Sequence, residues 1–150
     1  MRVVAFDPGI TTGVSIGNIE DGELIFQADQ GTLTLKFVWN FLHRLNPDCI
    51  VYETFEFRQG KQRAGLELFS RNVIGVIQLY VELNEIFVAP QKAAQAKEFM
   101  NSERLKEEKA WLKGKEHARD AIKHLLYWWY WGAGYQYNKK GHRLDTVPFL

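Results

Sequence analysis

The dipeptide Asp21-Gly22 is the feature of this sequence that most restricts its fold. It separates two alternating runs, Thr12 to Glu20 and Glu23 to Asp29. Asp-Gly between alternating runs is a strong signal for a two-residue hairpin. A short apolar run, Arg2 to Asp7, precedes them and is ended by Pro8-Gly9. The chain is therefore predicted to open with three strands in an antiparallel meander.

Strands and helices alternate after the meander. Residues 34–45 place apolar side chains on one helix face, with Thr32 or Thr34 as the predicted cap. Asp48 to Glu53 is predicted to be a fourth strand, because Cys49 to Tyr52 form an almost continuous apolar run, typical of a strand covered on both faces. Because a helix precedes it, a right-handed crossover should place this strand parallel to the first.

The remaining segments complete an α/β layer fold. A long helix is predicted over residues 66–81, and a fifth strand over residues 85–89, ended by Pro90. Further helices are predicted over residues 91–100, 103–115 and 116–131, and an irregular tail over residues 131–150. The 150 residues suit one domain. The expected architecture is a five-stranded mixed sheet, three strands antiparallel and two parallel, with helices on both faces.

Composition excludes several classes of protein. The single cysteine, Cys49, rules out an internal disulfide and a Cys-x-x-Cys metal site, and it is expected to be a packed core thiol. The sequence shows neither a signal peptide nor an apolar run long enough to span a bilayer, so we expect a cytoplasmic protein with no membrane partner. Acidic residues outnumber basic ones in residues 1–57, and the reverse holds in residues 58–150. That asymmetry suits a carboxylate centre ringed by phosphate-binding cations.

Three acidic residues occupy positions suited to chemistry. Asp7 ends the first predicted strand, Glu53 ends the fourth, and Asp120 lies on the last helix. Ligands of α/β sheets collect beyond the carboxyl ends of parallel strands, so Asp7 and Glu53 are expected to share a site. His117 lies three residues before Asp120 and so shares its helix face.

A buried carboxylate is costly unless a cation accompanies it. All-oxygen ligands favour Mg²⁺, with Mn²⁺ as a substitute, over zinc. Two such ions can promote phosphodiester hydrolysis. The residues therefore predict a magnesium-dependent centre.

The order of motifs resembles the RuvC-like Holliday junction resolvases of the ribonuclease H-like superfamily. The motifs are Phe6-Asp7-Pro8-Gly9-Ile10-Thr11-Thr12-Gly13, Val51-Tyr52-Glu53, Val88-Ala89-Pro90 with Lys92 and Lys97, and His117-Ala118-Arg119-Asp120-Ala121. Arg71-Asn72-Val73-Ile74-Gly75 is loosely similar to the central helix that forms the dimer interface in that family. The resemblance spans roughly residues 1–130, and four motifs in order weigh more than any one of them.

This resemblance implies a metal-dependent endonuclease that acts as a homodimer and nicks two strands of a four-way DNA junction symmetrically. Asp7, Glu53 and Asp120 would be metal ligands, and His117 a fourth ligand or a general acid/base. Lys92 and Lys97 would face DNA. The sequence departs from the family pattern over residues 102–115 and in the tail after Trp131.

Further DNA-binding candidates come from charge and position. Arg58, Lys61 and Arg63 directly follow Glu53, where cations could bind phosphates. A second group is Lys113, Lys115 and Arg119, although a solvated helix face explains most of that charge. Three other features stay open: Glu56 as a substitute for Glu53, Phe55 and Phe57 as stacking or packing residues, and Trp128 to Trp131, for which packing is favoured.

Three other functions compete with this interpretation. A related ribonuclease H-like nuclease could act on flaps, other branched DNA or RNA–DNA hybrids with the same metal site. The turn from Asp7 to Gly13 also resembles the phosphate-binding turn of actin-like ATPases, which need two such domains and a second glycine-rich turn. A binding module that has lost catalysis is disfavoured because all three carboxylates are present.

Overall fold

The hairpin predicted at Asp21-Gly22 is present in the computed structural model, which describes residues 1–55 and 64–150. Strand β2 (Thr12–Glu20) and strand β3 (Glu23–Gly31) are joined there. Asp21 has a φ of 49° and Gly22 a φ of 83°, so both central residues adopt the left-handed backbone that this tight turn needs. Strand β1 (Arg2–Asp7) pairs antiparallel with β2 and completes the meander.

The other elements follow in the predicted order. They are α1 (Leu35–Leu45), β4 (Cys49–Glu53), α2 (Ala64–Asn84), β5 (Phe87–Gln91), α3 (Ala93–Phe99), α4 (Ser102–Glu107), α5 (Glu116–Trp131), a 3-10 helix (Ala133–Tyr137) and β6 (Gly141–Leu144). The Thr34 side chain accepts a hydrogen bond from the Phe37 N–H at 3.1 Å, so Thr34 is the cap of α1. Asn46 ends the helix with a φ of 46°.

The strands form one mixed sheet in the order β5-β4-β1-β2-β3-β6. β4 lies parallel to β1, with Phe6 opposite Tyr52, and β5 lies parallel to β4, with Glu53 opposite Gln91. The predicted mixed sheet, its meander and its two parallel strands are therefore confirmed. Because β1 and β4 are neighbours, Asp7 and Glu53 leave the sheet at the same edge.

Three segments differ from the expectation. β6 pairs parallel with β3, so the tail predicted to be irregular contains a short sixth strand. β5 runs through Pro90 to Gln91 because it is an edge strand, where a residue without an N–H is tolerated. The charged segment 103–115 is helical only to Glu107: Lys109 turns left-handed with a φ of 56°, and the Ala110 N–H closes the helix on the Leu105 carbonyl at 2.8 Å.

Alternate residues of the strands build a core on each face of the sheet. Val3 and Ala5 pack with α5 on one face, whereas Val4 and Phe6 pack with α1 and α2 on the other. Cys49 is buried on the α5 face, as expected of a core thiol. No helix among the described residues is both long and apolar enough to cross a membrane.

Helix α5 lies unusually close to the sheet at its first turn. A Cβ on Gly13 would lie 1.9 Å from the His117 carbonyl oxygen and 2.3 Å from its carbonyl carbon, closer than real atoms approach. The absence of a side chain at Gly13 is therefore what allows the helix to begin against β2. The Ala118 N–H, one of the free donors of that first turn, is satisfied by the Gln30 side chain at 3.2 Å.

A single buried carboxylate joins three segments beside this helix start. Asp29 on β3 is 4% exposed and accepts a charged hydrogen bond from Lys115 at 2.7 Å. Its other oxygen accepts the N–H groups of Phe149 and Leu150 at 3.2 and 3.0 Å. The residue that precedes α5 and the segment at 149–150 are thus held by the same side chain.

Replacing Gly13 by Ala should destabilise the protein, because the new methyl group overlaps backbone that cannot move without shifting α5. Overpacking of this kind costs about 1–3 kcal/mol. For a chain of this size that corresponds to a fall in Tm of roughly 2–4 °C per kcal/mol. Thermal unfolding followed by circular dichroism measures the change.

Gly31→Ala is the matched control, since a Cβ there meets only the Leu33 side chain at 3.4 Å, an ordinary contact. It should leave Tm nearly unchanged. If both variants unfold at the same temperature, the close approach at Gly13 does not restrict α5.

Candidate active site

Three carboxylates converge at the edge of the sheet where β1 and β4 end. Asp7 is the last residue of β1, Glu53 the last of β4, and Asp120 lies one turn into α5. Their side chains are 10%, 20% and 15% exposed, so all three are largely withdrawn from solvent. The structure therefore brings together the three acidic residues that the sequence singled out.

The ammonium group of Lys97, on α3, lies among these carboxylates. Its Nζ is 2.9 Å from Glu53 Oε2, 2.9 Å from Asp120 Oδ2 and 4.0 Å from Asp7 Oδ1. Like charges so close together would repel strongly without a cation between them. Lys97, expected from the sequence to face DNA, thus lies inside the acidic cluster while remaining one-third exposed.

Two further side chains flank the cluster. His117 Nδ1 is 2.9 Å from Asp7 Oδ2, and the His117 side chain is 42% exposed. Lys123 donates to Asp120 Oδ1 at 2.6 Å, from one turn further along α5. The predicted proximity of His117 to the acidic residues is therefore present, through Asp7.

The four charged groups shift one another's proton affinity. Burial raises the pKa of Asp7 to about 6, with the charges of Glu53 and Asp120 adding to the effect and Lys97 and His117 opposing it. Burial also acts on Glu53, but hydrogen bonds from His124 and Lys97 outweigh it and lower the pKa to about 2. Burial is likewise outweighed at Asp120, where Lys123 and Lys97 lower the pKa, and at Lys97, where the carboxylates raise it. The cluster is therefore fully ionised only above about pH 6.

His124 is the residue of this site that the sequence analysis missed. The sequence patterns assigned it no role, yet it is completely buried and contacts Glu53. The available signal was its spacing: His117, Asp120 and His124 follow one another by three and four residues, so they form a polar stripe on a single helix face. The stripe borders the buried face of α5, so His124 is completely buried whereas the His117 side chain is 42% exposed.

The other basic candidates lie around α5 and at the start of α3. Lys92 and Lys113 are exposed. Lys115 is paired with Asp29, and Arg119 lies over the Trp111 ring at 4.2 Å while donating to the Leu112 carbonyl at 2.8 Å. Contact of these residues with DNA stays a prediction.

Several sequence candidates lie outside the described residues, namely Glu56, Phe57, Arg58, Lys61 and Arg63. Phe55 is described: the Arg71 guanidinium lies over its ring at 5.1 Å. Trp128 and Trp129 are buried in the core, which confirms packing for those two, whereas Trp131 is 67% exposed.

The donor set fits a divalent cation in place of the ammonium. It consists of carboxylate oxygens, which Mg²⁺ and Mn²⁺ prefer, and it already surrounds one positive charge. Within residues 1–55 and 64–150, no group of three or more His, Cys, Asp and Glu side chains is arranged as a ready-made metal site. Since Glu53 and Asp120 each hold Lys97, a metal ion would require that ammonium to move.

Known structures provide an independent comparison. No protein-family model matches this sequence, and no curated protein matches it in sequence. Among solved structures, Thermus thermophilus RuvC in complex with a Holliday junction substrate is similar with a TM-score of 0.62 and 18% identity, over 85% of this chain and 92% of that one. The yeast mitochondrial Holliday junction resolvase Ydc2 gives 0.61 and 14%, over 89% and 80%. The fowlpox virus Holliday junction resolvase gives 0.55 and 17%, over 84% and 96%.

These similarities show the fold. The chain has the ribonuclease H-like fold of RuvC-like Holliday junction resolvases, as its sequence motifs implied. At such low sequence identity the chemistry has to be argued from this chain's own residues.

Removing the charge of Lys97 while keeping its length, as in Lys97→Met, should destabilise the metal-free protein. Three ionised carboxylates would then face one another without a cation. Removing one partner of an ion pair that is only partly exposed to solvent costs about 1–3 kcal/mol. Chemical denaturation at pH 7.5 in the presence of a chelator measures the loss.

Adding Asp120→Asn should recover part of that loss, since it removes one of the repelling charges. If the free energy of unfolding of the double variant falls by the sum of the changes in the two single variants, Lys97 and Asp120 do not interact energetically.

Proposed function

We propose that this chain is a structure-specific endodeoxyribonuclease that resolves four-way (Holliday) DNA junctions by paired symmetric nicks. The observation that carries the proposal is the meeting of Asp7, Glu53 and Asp120 around one positive charge at the carboxyl edge of β1 and β4. Its fold supports the substrate class, because the similar structures include Holliday junction resolvases, one of them in complex with a junction.

The proposed enzyme requires Mg²⁺, for which Mn²⁺ substitutes, and Asp7, Glu53 and Asp120 would hold it. When bound, divalent ions supply activation of water and stabilisation of the leaving oxygen in phosphodiester hydrolysis. The chain's own contribution is to keep all three carboxylates ionised and aimed at one point. In the metal-free protein the positive charge of Lys97 supports this ionisation. If the carboxylates held a divalent ion, the Lys97 ammonium would have to leave them and would then be available to a phosphate.

His117 is suited to handle a proton or to provide a further ligand. Its Nδ1 bonds the Asp7 carboxylate, which fixes the ring and leaves Nε2 as the nitrogen that remains for chemistry. The 42% exposure of the side chain gives that nitrogen access to substrate or water. Both roles that the sequence left open, fourth ligand and general acid/base, use this same atom.

A cleft of about 420 Å³ beside the cluster is suited to the DNA backbone. Glu53 and Lys97 line it together with Pro8, Phe55 and Ala93. The basic residues singled out from the sequence would bind phosphates. They are Lys92, Lys97, Lys113, Lys115 and Arg119, together with Arg58, Lys61 and Arg63, which lie outside the described residues. Such contacts provide affinity that falls as the salt concentration rises. They provide no preference for a DNA sequence.

A ribonuclease H-like nuclease acting on flaps, other branched DNA or RNA–DNA hybrids is the second candidate, because the same carboxylates would serve it. Cleavage of a panel of these substrates, with and without Mg²⁺, separates the candidates. The four-way junction should be cut fastest, at symmetric positions on two strands, and only with a divalent cation. Preferential cutting of a flap or an RNA–DNA hybrid would show that this nucleic acid, and not the four-way junction, is the substrate.

Asp7→Asn should abolish cutting of the four-way junction and leave junction binding nearly unchanged. The substitution removes a charge that serves the ion and keeps the shape of a side chain that is only 10% exposed. Cleavage on a denaturing gel and binding by fluorescence anisotropy, both with purified variant, measure the two effects.

Asp48→Asn is the matched control, since Asp48 immediately precedes the strand that Glu53 ends and its carboxylate accepts the Arg2 N–H at the opposite end of that strand. It should cut normally. Undiminished cleavage by the Asp7 variant would remove Asp7 from the mechanism.

Symmetric nicking needs two sites, and one surface of the chain suits a second copy. Large apolar side chains are exposed along α2 and on the adjoining edge strand β5. They are Leu68, Leu79, Leu83, Phe87 and Val88, with exposed fractions of 58%, 49%, 64%, 79% and 42%. Leu68, Leu79 and Leu83 recur at helical spacing on one face of α2, and exposed apolar side chains grouped in this way are typical of interaction sites. We place the homodimer contact on this surface, which includes the helix whose sequence is loosely similar to the dimer helix of the resolvases.

Introducing charge there, as Leu79→Glu with Leu83→Glu, should convert the dimer to a monomer without unfolding it, because two carboxylates would be buried between copies. Sedimentation velocity gives the mass, and circular dichroism checks the fold. Val147→Glu, which alters an equally exposed apolar residue elsewhere, should remain dimeric. A dimer that persists in the double variant would exclude this surface.

A further inference from the structure

His124 is a completely buried polar residue in a helix whose other buried residues are alanine or large apolar residues. Its neighbours in sequence, Ile122, Leu125 and Leu126, are completely buried, and so is His124. An apolar side chain would fill such a position without the cost of removing an imidazole from water. Packing alone therefore does not explain why a histidine occupies this position.

Both nitrogens of His124 are used. Nδ1 lies 2.8 Å from Gln91 Oε1, and Nε2 lies 2.9 Å from Glu53 Oε2. Glu53 and Gln91 are opposite each other at the ends of the paired strands β4 and β5. One side chain from α5 thus bridges the two strand ends.

Gln91 is itself firmly fixed. It is 6% exposed, and its carbonyl accepts the Thr54 N–H at 2.8 Å and the Thr54 hydroxyl at 3.2 Å. Because its carbonyl is held twice by Thr54 and the residue is buried, Gln91 gives the imidazole a well-fixed partner. The chain of contacts runs from the fixed strand end through His124 to the carboxylate.

The direction of the hydrogen bonds follows from the chemistry of the groups. An ionised Glu53 can only accept, so Nε2 carries the proton in this contact. Nδ1 then either donates to the Gln91 oxygen, with the ring doubly protonated, or accepts from the Gln91 amide group rotated by half a turn. In both arrangements His124 donates to Glu53 Oε2, the same oxygen that receives Lys97.

We infer that His124, anchored by Gln91, is a positioning residue that orients the Glu53 carboxylate and thereby sets the affinity of the site for a divalent cation. The inference rests on the proposed metal-dependent function. A glutamate has several rotatable bonds, and an unheld carboxylate would lose freedom on binding an ion. Hydrogen bonding to a ligating carboxylate removes that loss in advance, and loss of such an outer contact typically weakens metal affinity about 10–100-fold.

The test measures binding of Mn²⁺ to the DNA-free protein, by the electron paramagnetic resonance signal of the unbound ion. His124→Leu should raise the dissociation constant for Mn²⁺ about 10–100-fold. His124→Gln should recover most of the affinity, since its amide can reach Glu53 and donate there. Gln91→Leu keeps the imidazole but removes its anchor, and it should weaken binding by a smaller factor. This last variant also tests the inference if His124→Leu does not fold.

Leu125→Ala is the control for a general loosening of α5. It removes volume from a completely buried residue next to His124 and should lower Tm while leaving Mn²⁺ affinity within about twofold, as the ligands are untouched. Equal affinity in wild type, His124→Leu and Gln91→Leu would overturn the inference, and so would a His124→Gln variant that folds but recovers nothing. Absence of Mn²⁺ binding by the wild type would instead overturn the metal-dependent function, and the inference with it.

Discussion

Repulsion among three carboxylates is the constraint on which the rest of this site depends. Asp7, Glu53 and Asp120 come from two strands and a helix, and each is largely shielded from water. Such a group is stable only with positive charge at its centre. In the metal-free protein Lys97 provides that charge, so the same geometry that would bind a metal ion also holds α3 against the sheet edge.

The backbone must bring these groups within reach, and two small features accomplish it. Parallel pairing of β1 with β4 places two acidic residues at adjacent strand ends. Because Gly13 has no side chain, the first turn of α5 can pack directly on β2. This places His117 and Asp120 beside the ends of β1 and β4. A bulkier residue at Gly13 would separate the helix from the strand ends, and the acidic cluster would be lost although every acidic residue remained.

Much of this could be predicted from the sequence because it rests on local patterns. Strand ends, the Asp-Gly turn and the helical spacing of His117 and Asp120 are visible in short windows of residues. The inward directions of Lys97 and His124 were missed, because they depend on how α3 and α5 are rotated about their axes, which only tertiary packing decides. β6 has four residues and no period of its own; its pairing with β3 is a long-range contact that leaves no local signal.

The carboxylate of Asp29 has a consequence for the order in which the molecule is assembled during translation. It connects β3, synthesised early, with Lys115 and with the backbone of residues 149 and 150. These contacts join residues 86, 120 and 121 positions apart, so the first needs the chain up to Lys115 and the other two need it up to Phe149 and Leu150. The β2–β3 hairpin of a nascent chain is therefore complete well before the start of the helix that bears Asp120 can be tied to Asp29.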